Sequence, residues 1–432
     1  MPKFNVSEST YRYGIRENLA QVAYQLLQVF LVGLTIGMFR TVVPALAEDE
    51  FGVSKGSFML LTAFVVAFGF VKGTLNFVAG RWSERVGRKK VLIFGWLIAV
   101  PIPFLIFFAS SWNWIVAATI LLGVNQGLCW SMTQTSKMDM TRADERGLTM
   151  GLNEFSGYIG VALAGILTSY MALIWGARLG LLIFGSVVIS LALILAFFLV
   201  KETHEWARTE AQQSLKQPQH QQSSKSLGNF PTHPTTAQMF HLMSWKDRRM
   251  AAFCQAGMVE KFVDALVWVF YPVFLHERGL SLNAIGWIVG IYGFVWGSTQ
   301  LLTGKLSDHI GRMKPIVWGM WICGLGVGLM LIRDGMIWWS VSAAITGFGM
   351  ALLYPNLGAA VADLSHPNWR GSAIGIYRFW RDLGYGVGAL SFGMVAHFAG
   401  AVTAGFWFVS IAMLFSGTLV MLWGEETHPN IH

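Results

Sequence analysis

Charge is scarce in this chain. Only 12% of its 432 residues are Asp, Glu, Lys or Arg, while 54% are hydrophobic; soluble globules carry roughly 25% charge. Such a composition excludes an ordinary water-soluble domain and puts the chain in lipid. Cysteine is equally sparse. Cys129, Cys254 and Cys323 lie in apolar stretches with no Cys-x-x-Cys pair and no metal-ligand spacing, which argues against a disulfide framework or a zinc site and leaves buried reduced thiols. There is no His-Glu-x-x-His helix, and of the histidines only His397 comes close to an apolar run, so an enzymatic reading finds no support. The formal net charge of +8 comes from short basic clusters between apolar runs, not from a basic stripe, so no nucleic-acid partner is expected. The first twenty residues are polar, with Lys3, Arg12 and Arg16 and no cleavable leader pattern; the first apolar run is expected to stay as an anchor.

Long apolar runs are what the chain has instead. A helix needs roughly 20 apolar residues to cross the hydrocarbon core, and only helices or closed barrels satisfy all their backbone groups there. About twelve runs meet that length: 20–46, 56–80, 90–110, 114–136, 147–172 and 178–200, then 249–274, 281–303, 314–332, 337–361, 371–397 and 402–424. The runs are continuously apolar, without the two-residue alternation of a barrel. An all-α membrane protein is therefore predicted, with six-helix bundles over 1–200 and 249–432. Between them, 201–248 is polar, and Gln212 to Gln238 is rich in Gln, Ser, His, Thr and Pro. This segment is predicted to be a flexible cytoplasmic linker, with His220, His233 and His241 too irregularly spaced for a metal site. Lys and Arg gather in alternate loops (Arg81, Arg85, Arg88, Lys89 and Lys90; Lys137, Arg142 and Arg146; Lys305, Arg312 and Lys314; Arg370). The positive-inside rule makes those loops cytoplasmic and puts both termini on the same side.

The chain also repeats itself. A shift of 224 residues, the distance from Gly80 to Gly304, carries Gly87-Arg88 onto Gly311-Arg312, Asp139 onto Asp363, Arg146-Gly147 onto Arg370-Gly371, and Glu202-Thr203-His204 onto Glu426-Thr427-His428. After the second span stands Gly80-Arg81-Trp82-Ser83-Glu84-Arg85-Val86-Gly87-Arg88-Lys89-Lys90, and after the eighth Gly304-Lys305-Leu306-Ser307-Asp308-His309-Ile310-Gly311-Arg312-Met313-Lys314. This pattern resembles the loop signature of the major facilitator superfamily. The resemblance implies a secondary transporter of two six-helix bundles rocking about a central cavity, in which Glu84, Arg85, Arg88, Asp308 and Arg312, with their glycines, latch the cytoplasmic side. Glu84 replaces the usual Asp and His309 the usual Arg, which predicts a weaker latch in the second half. Gly123 stands where many proton-driven members have arginine, and the fifth span lacks the antiporter proline, which leaves direction open. The implied setting is the plasma membrane (the inner membrane of a Gram-negative cell). A functional monomer is expected, with the bilayer and a small solute as partners and a proton gradient in place of any cofactor.

Charges inside the runs point to the site, because each costs at least about 2.5–3.5 kcal/mol at mid-bilayer unless it is paired or wet. They are Arg40, Lys72, Glu154, Glu260, Lys261, Asp264, Arg378, Arg381 and Asp382. The repeat sets Arg40 against Asp264 and Glu154 against Arg378. In the superfamily, spans one and seven line the cavity and spans two and eleven adjoin, so the resemblance implies cross-cavity pairing of Arg40 with Asp264 and of Lys72 with Asp382; Arg378 and Asp382 stand four apart on one face and can pair locally. Glu260, Asp264 or Glu154 is the candidate proton carrier, and Arg40, Lys72 and Arg381 are candidates for an anionic substrate group. Lys261 is read as structural. Asn76, Asn125, Gln126, Trp268, Tyr354 and Asn356 are further candidate polar contacts, and Trp296 a candidate stacking partner. The near balance of cavity charges leans toward an anionic or zwitterionic solute. The alternatives are a multidrug-type proton antiporter for amphiphiles and, from another class, a non-transporting receptor.

Overall fold

The structure is a computed structural model that describes residues 11–51, 58–216, 234–429 and 431. Every regular element among them is helical, the solution a chain reaches when no water is present to satisfy its backbone groups. The first half holds α1 (Leu19–Phe51), α2 (Phe58–Val86), α3 (Arg88–Ala99), α4 (Pro101–Phe107), α5 (Trp112–Met140), α6 (Arg146–Trp175) and α7 (Ala177–Phe198). After α8 (His204–Lys216) and α9 (Thr236–His241) come α10 (Arg248–Glu277), α11 (Leu282–Ile310), α12 (Met313–Leu329), α13 (Met336–Leu364), α14 (Arg370–Ala399) and α15 (Val402–Trp423). Pro101 has no N–H to continue α3 and begins α4 instead. Asp247 and Ser281 cap α10 and α11 through the backbone N–H groups of Arg249, Met250 and Ala284.

Among the described residues, eight helices are long and apolar enough to cross a bilayer, with Met313–Leu329 a shorter apolar helix. The 30-residue α10 and α14 are outside that set. These two carry most of the intramembrane charges, which lower their mean hydropathy, so apolarity alone undercounts the helices around a polar interior. Large apolar side chains such as Leu173, Phe198, Ile337 and Phe398 stand exposed on the outer faces, a surface suited to acyl chains and not to water.

The repeat is written into the helix boundaries: the same 224-residue shift carries α2, α5 and α6 onto α11, α13 and α14. It also carries the packing. Helix α1 lies on α6 as α10 lies on α14, and across the halves α2 lies on α14 as α11 lies on α6. One apolar core draws its buried residues from Val29 to Val200 and a second from Met239 to Val420. A small third cluster (Met138, Met150, Ala359, Ala362 and Ile374) mixes the two halves.

The stretch expected to be a flexible linker is ordered in its described parts. Helix α8 spans 204–216, and α9 continues into a wide helical turn, Leu242–Lys246, while 217–233 with His220 and His233 lie outside the described residues. The polar composition hid two attachments. Tyr13 donates to the Trp206 carbonyl, and Phe240 packs on Phe77, Phe379 and Trp380.

Where the halves meet, glycines bring backbones together. A Cβ on Gly80 would fall on the Gly371 carbonyl, and one on Gly147 would fall on the Gly304 carbonyl and Ser307 Oγ; the repeat interchanges the two crossings. Overpacking of this kind costs about 1–3 kcal/mol. Gly147→Val is expected to lower the melting temperature of the detergent-purified protein, whereas the same change at Gly286, which faces open space, is expected to leave it near the parent value.

Candidate functional site

Two buried clusters lie along the interface between the halves. In the inner one, Asp382 on α14 collects donors from both halves: Lys72 Nζ at 3.6 Å and Asn76 Nδ2 at 2.6 Å from α2, Arg381 Nε at 3.1 Å and Arg378 Nη2 at 4.0 Å from its own helix. The predicted Lys72–Asp382 and Arg378–Asp382 pairs are both present. Behind them, Ser131 donates to Asn76 Oδ1 at 2.8 Å and Arg378 Nη1 donates to Gln134 Oε1 at 2.9 Å. Four groups around one fully buried carboxylate offset its desolvation, and removal of one partner of such a buried pair typically costs about 3–5 kcal/mol.

A second carboxylate, Asp264, is filled from within its own half. Lys261 Nζ stands at 2.7 Å, and the Tyr292 and Tyr385 hydroxyls donate at 2.6 and 3.0 Å. The Arg40 side chain lies outside the described residues, so the expected Arg40–Asp264 contact is untested, but Asp264 is already served by three donors. Lys261 has partners beyond Asp264. Its ammonium also lies 3.4 Å from Glu260 and faces the rings of Tyr354, Trp296 and Tyr385 at 4.2, 5.1 and 5.2 Å, a cation–π cage worth about 2 kcal/mol or more once desolvated. Arg381 sits 5.0 Å from the same Tyr354 ring. Tyr158 and Trp296 extend the aromatic wall, with centroids 4.4 Å apart. Trp268 stacks on Tyr385 at 5.2 Å. Glu154 accepts from Trp130 Nε1 at 3.1 Å and Asn153 Nδ2 at 2.8 Å through one oxygen only.

Three candidate polar contacts serve elsewhere. Asn125 donates to the Gly95 carbonyl of α3 at 3.0 Å, Gln126 to the Val32 carbonyl of α1 at 2.9 Å, and Asn356 to Leu352 of its own helix at 2.6 Å. Each satisfies a helix carbonyl, which is the usual employment of an amide in lipid. Lys137 is a correction of another kind. Read as a loop cation, it is fully buried in α5 and donates to the Gln25 carbonyl at 3.3 Å.

The Gly-Arg loops build the outer cluster with twofold symmetry. Arg88 pairs with Asp139 at 2.9 Å as Arg312 pairs with Asp363 at 3.1 Å. Arg370 crosses to Asp139 at 3.7 Å as Arg146 crosses to Asp363 at 2.8 Å. Glu202 accepts from the Arg88 and Lys89 N–H groups, and Glu426 from those of Arg312 and Met313, so each closes a helix N-terminus. Those two turns need Gly87 and Gly311, at φ 97° and 93°. Glu84 accepts from the Ser372 N–H at 2.7 Å, while Asp308 accepts from Gly147 and Leu148 at 2.9 and 2.8 Å and also pairs with Arg312. The second copy is thus the fuller latch, contrary to the expectation drawn from His309. The position it occupies is idle in the first copy too, since Arg85 is exposed and lines a surface cleft with Arg81, His204 and Arg208.

Glu210 went unnoticed in the sequence. Its carboxylate meets Arg146 at 3.2 Å and Arg370 at 2.7 Å; these are repeat-equivalent arginines, one from each half, so a linker residue sits at the pseudo-twofold. No sequence signal marks it, because the repeat match ends at Glu202-Thr203-His204, before it. Burial pulls this carboxyl upward, but Arg370 and then Arg146 outweigh it and hold it below the ordinary carboxylate range. A carboxylate with a lowered folded-state pKa stabilises the latch above its unfolded value and loses that contribution as pH falls through the folded value. Charge-assisted bonds of this kind are worth about 1.5–3 kcal/mol. With spin labels at the exposed Arg85 and Lys305 positions, Glu210→Gln is expected to raise the fraction of long inter-label distances by roughly tenfold at neutral pH. Acidification of the parent protein through the carboxylate range should move it the same way; unchanged distances in both cases would remove Glu210 from the latch.

The comparisons with known proteins agree with this architecture. The chain is 23% identical over 415 residues to the proton-coupled antiporter flippase LtaA of Staphylococcus saprophyticus, covering 95% of each protein. Its fold superposes on the human organic anion transporter MFSD10 (TETRAN) with a TM-score of 0.75 at 17% identity, covering 93% of this chain and 99% of that one. On the proton:xylose symporter XylE bound to 6-bromo-6-deoxy-D-glucose it gives a TM-score of 0.74 at 16% identity, covering 96% and 97%. The family model of the Major Facilitator Superfamily matches residues 26–259 and again 253–432. With its duplicated helices, twin Gly-Arg loops and family match over nearly its whole length, this chain belongs to the Major Facilitator Superfamily of membrane transporters.

Proposed function

We propose that this protein is a proton-coupled secondary transporter that moves a small, charge-bearing organic solute by alternating access. The observation that carries the reading is the convergence of Lys72 and Asn76 from one half on Asp382 of the other, all buried. A buried ionic contact between rocking bundles must break and re-form in each cycle, so its energy is available to couple solute and ion binding to the movement. In this reading twelve helices span the plasma membrane as bundles 1–200 and 249–432, both termini and the linker are cytoplasmic, and the latched loop end is the cytoplasmic gate held shut. Glu154 is the candidate proton carrier, because it lies on α6, which packs across to α11, and one of its carboxylate oxygens has no described partner. Asp264 is set aside from that role because the Lys261 ammonium and the Tyr292 and Tyr385 hydroxyls already hold its carboxylate.

A second reading, export of amphiphiles by proton antiport, draws on the aromatic wall of Tyr158, Trp296 and Tyr354 and on the likeness to LtaA, a proton-coupled antiporter flippase. Both readings are tested in proteoliposomes loaded with a pH-sensitive dye and challenged with a panel of organic acids, zwitterions and amphiphilic cations. Solute-dependent proton flux is expected for one class. Glu154→Gln should abolish that flux while solute counterflow persists. Undiminished proton flux in the variant would exclude Glu154 as carrier.

A further inference from the structure

The partners of the buried charges divide them into filled and open groups. Asp264 has three donors and Asp382 has four cationic or amide neighbours. Glu260 differs: it is fully buried, neither oxygen accepts a hydrogen bond from a described group, and only the Lys261 ammonium comes near, at 3.4 Å. On the cationic side, Arg378 has Nε and Nη2 without a hydrogen-bond partner, and Arg381 has Nη2 in the same condition. Lys261, 3.4 Å from Glu260, shares the Tyr354 ring with Arg381. The open acceptors and open donors therefore belong to one neighbourhood.

Resting on the transporter reading above, we propose that the solute is a zwitterion of amino-acid or peptide type, its ammonium received by Glu260 and its carboxylate by the open N–H groups of Arg378 and Arg381. A buried donor or acceptor left without a partner costs about 1–3 kcal/mol, and more when charged. An anion alone would complete the arginines and leave Glu260 open; a cation alone would do the reverse. Only a ligand with both charges completes both sets. The rings of Tyr354, Trp296 and Tyr385 already hold one ammonium, that of Lys261, and their negative faces favour a second on the adjacent carboxylate. Asp264 is a positioning residue here, since it draws the Lys261 ammonium closer to itself than to Glu260, at 2.7 against 3.4 Å.

The test is a thermal-shift and binding screen of the full-length protein in detergent against α-amino acids and dipeptides, each beside its N-acetylated and C-amidated forms. At least one zwitterion is expected to stabilise the protein, with either blocked form bound roughly tenfold or more weakly. Glu260→Gln, nearly isosteric, should erase the preference for the free amine over the acetylated form and keep the preference for the free carboxylate; Arg381→Met should do the opposite. The proposal is overturned if no zwitterion binds, if blocked forms bind equally well, or if Glu260→Gln keeps the amine preference. Proton flux driven by a singly charged solute would leave the transporter reading standing and sink only this assignment. A zwitterion that binds as described without driving any flux would have the opposite consequence.

Discussion

Desolvation of charge is the constraint on which this structure turns. Lipid offers no water to an ionised side chain, so a carboxylate or guanidinium between the helices is stabilised by a counterpart on its own helix or a neighbouring one. Asp382 obtains two of its partners from α2 and Asp264 one from α11, and in meeting that demand they draw together helices that share little sequence proximity. The interior is held by ionic geometry, while the apolar majority of the chain faces either the two bundle cores or the acyl chains.

Duplication then supplies the symmetry. Because α2 lies on α14 just as α11 lies on α6, the two crossings are equivalent, and the Asp139 and Asp363 ion-pair nets repeat one another across the halves. Glu210 breaks that equivalence. It comes from the linker, past the repeated Glu202-Thr203-His204, and contacts the equivalent arginines of both halves at once, so the linker does more than join the bundles.

How much of this could be read beforehand differs from residue to residue. The helices, the repeat and the twin loops were legible because apolar length and a fixed offset are one-dimensional properties. Lys72 with Asp382 was legible too, because the superfamily resemblance implies that spans two and eleven adjoin and each carries a charge of opposite sign. Glu260 and Asp264 looked alike in the sequence, four residues apart on one helix face, yet one is saturated and the other open. That difference rests on Tyr292 and Tyr385, hydroxyls about 30 and 120 residues away whose approach no local pattern announces. The carbonyl partners of Asn125 and Gln126 were hidden for a related reason: an amide in lipid looks the same whether its partner is a solute or a neighbouring backbone carbonyl. Lys137 was misjudged because a cation at the end of an apolar run looks like a loop residue when the helix continues past the run.

The amino-acid sequence by itself determined that this is a helical membrane protein, that it is a duplication, which two loops match one another at a fixed offset, and which charges fall inside the apolar runs. These follow from composition, run length and offset, which are properties of the chain before it folds. Only the tertiary structure decided which of those charges are spent on one another and which stay open, that the second loop forms the fuller latch, and that Glu210 stands between the two halves. The reason is physical: saturation of a buried charge depends on distances of a few ångströms between groups far apart in the chain, and such distances exist only once the helices have packed.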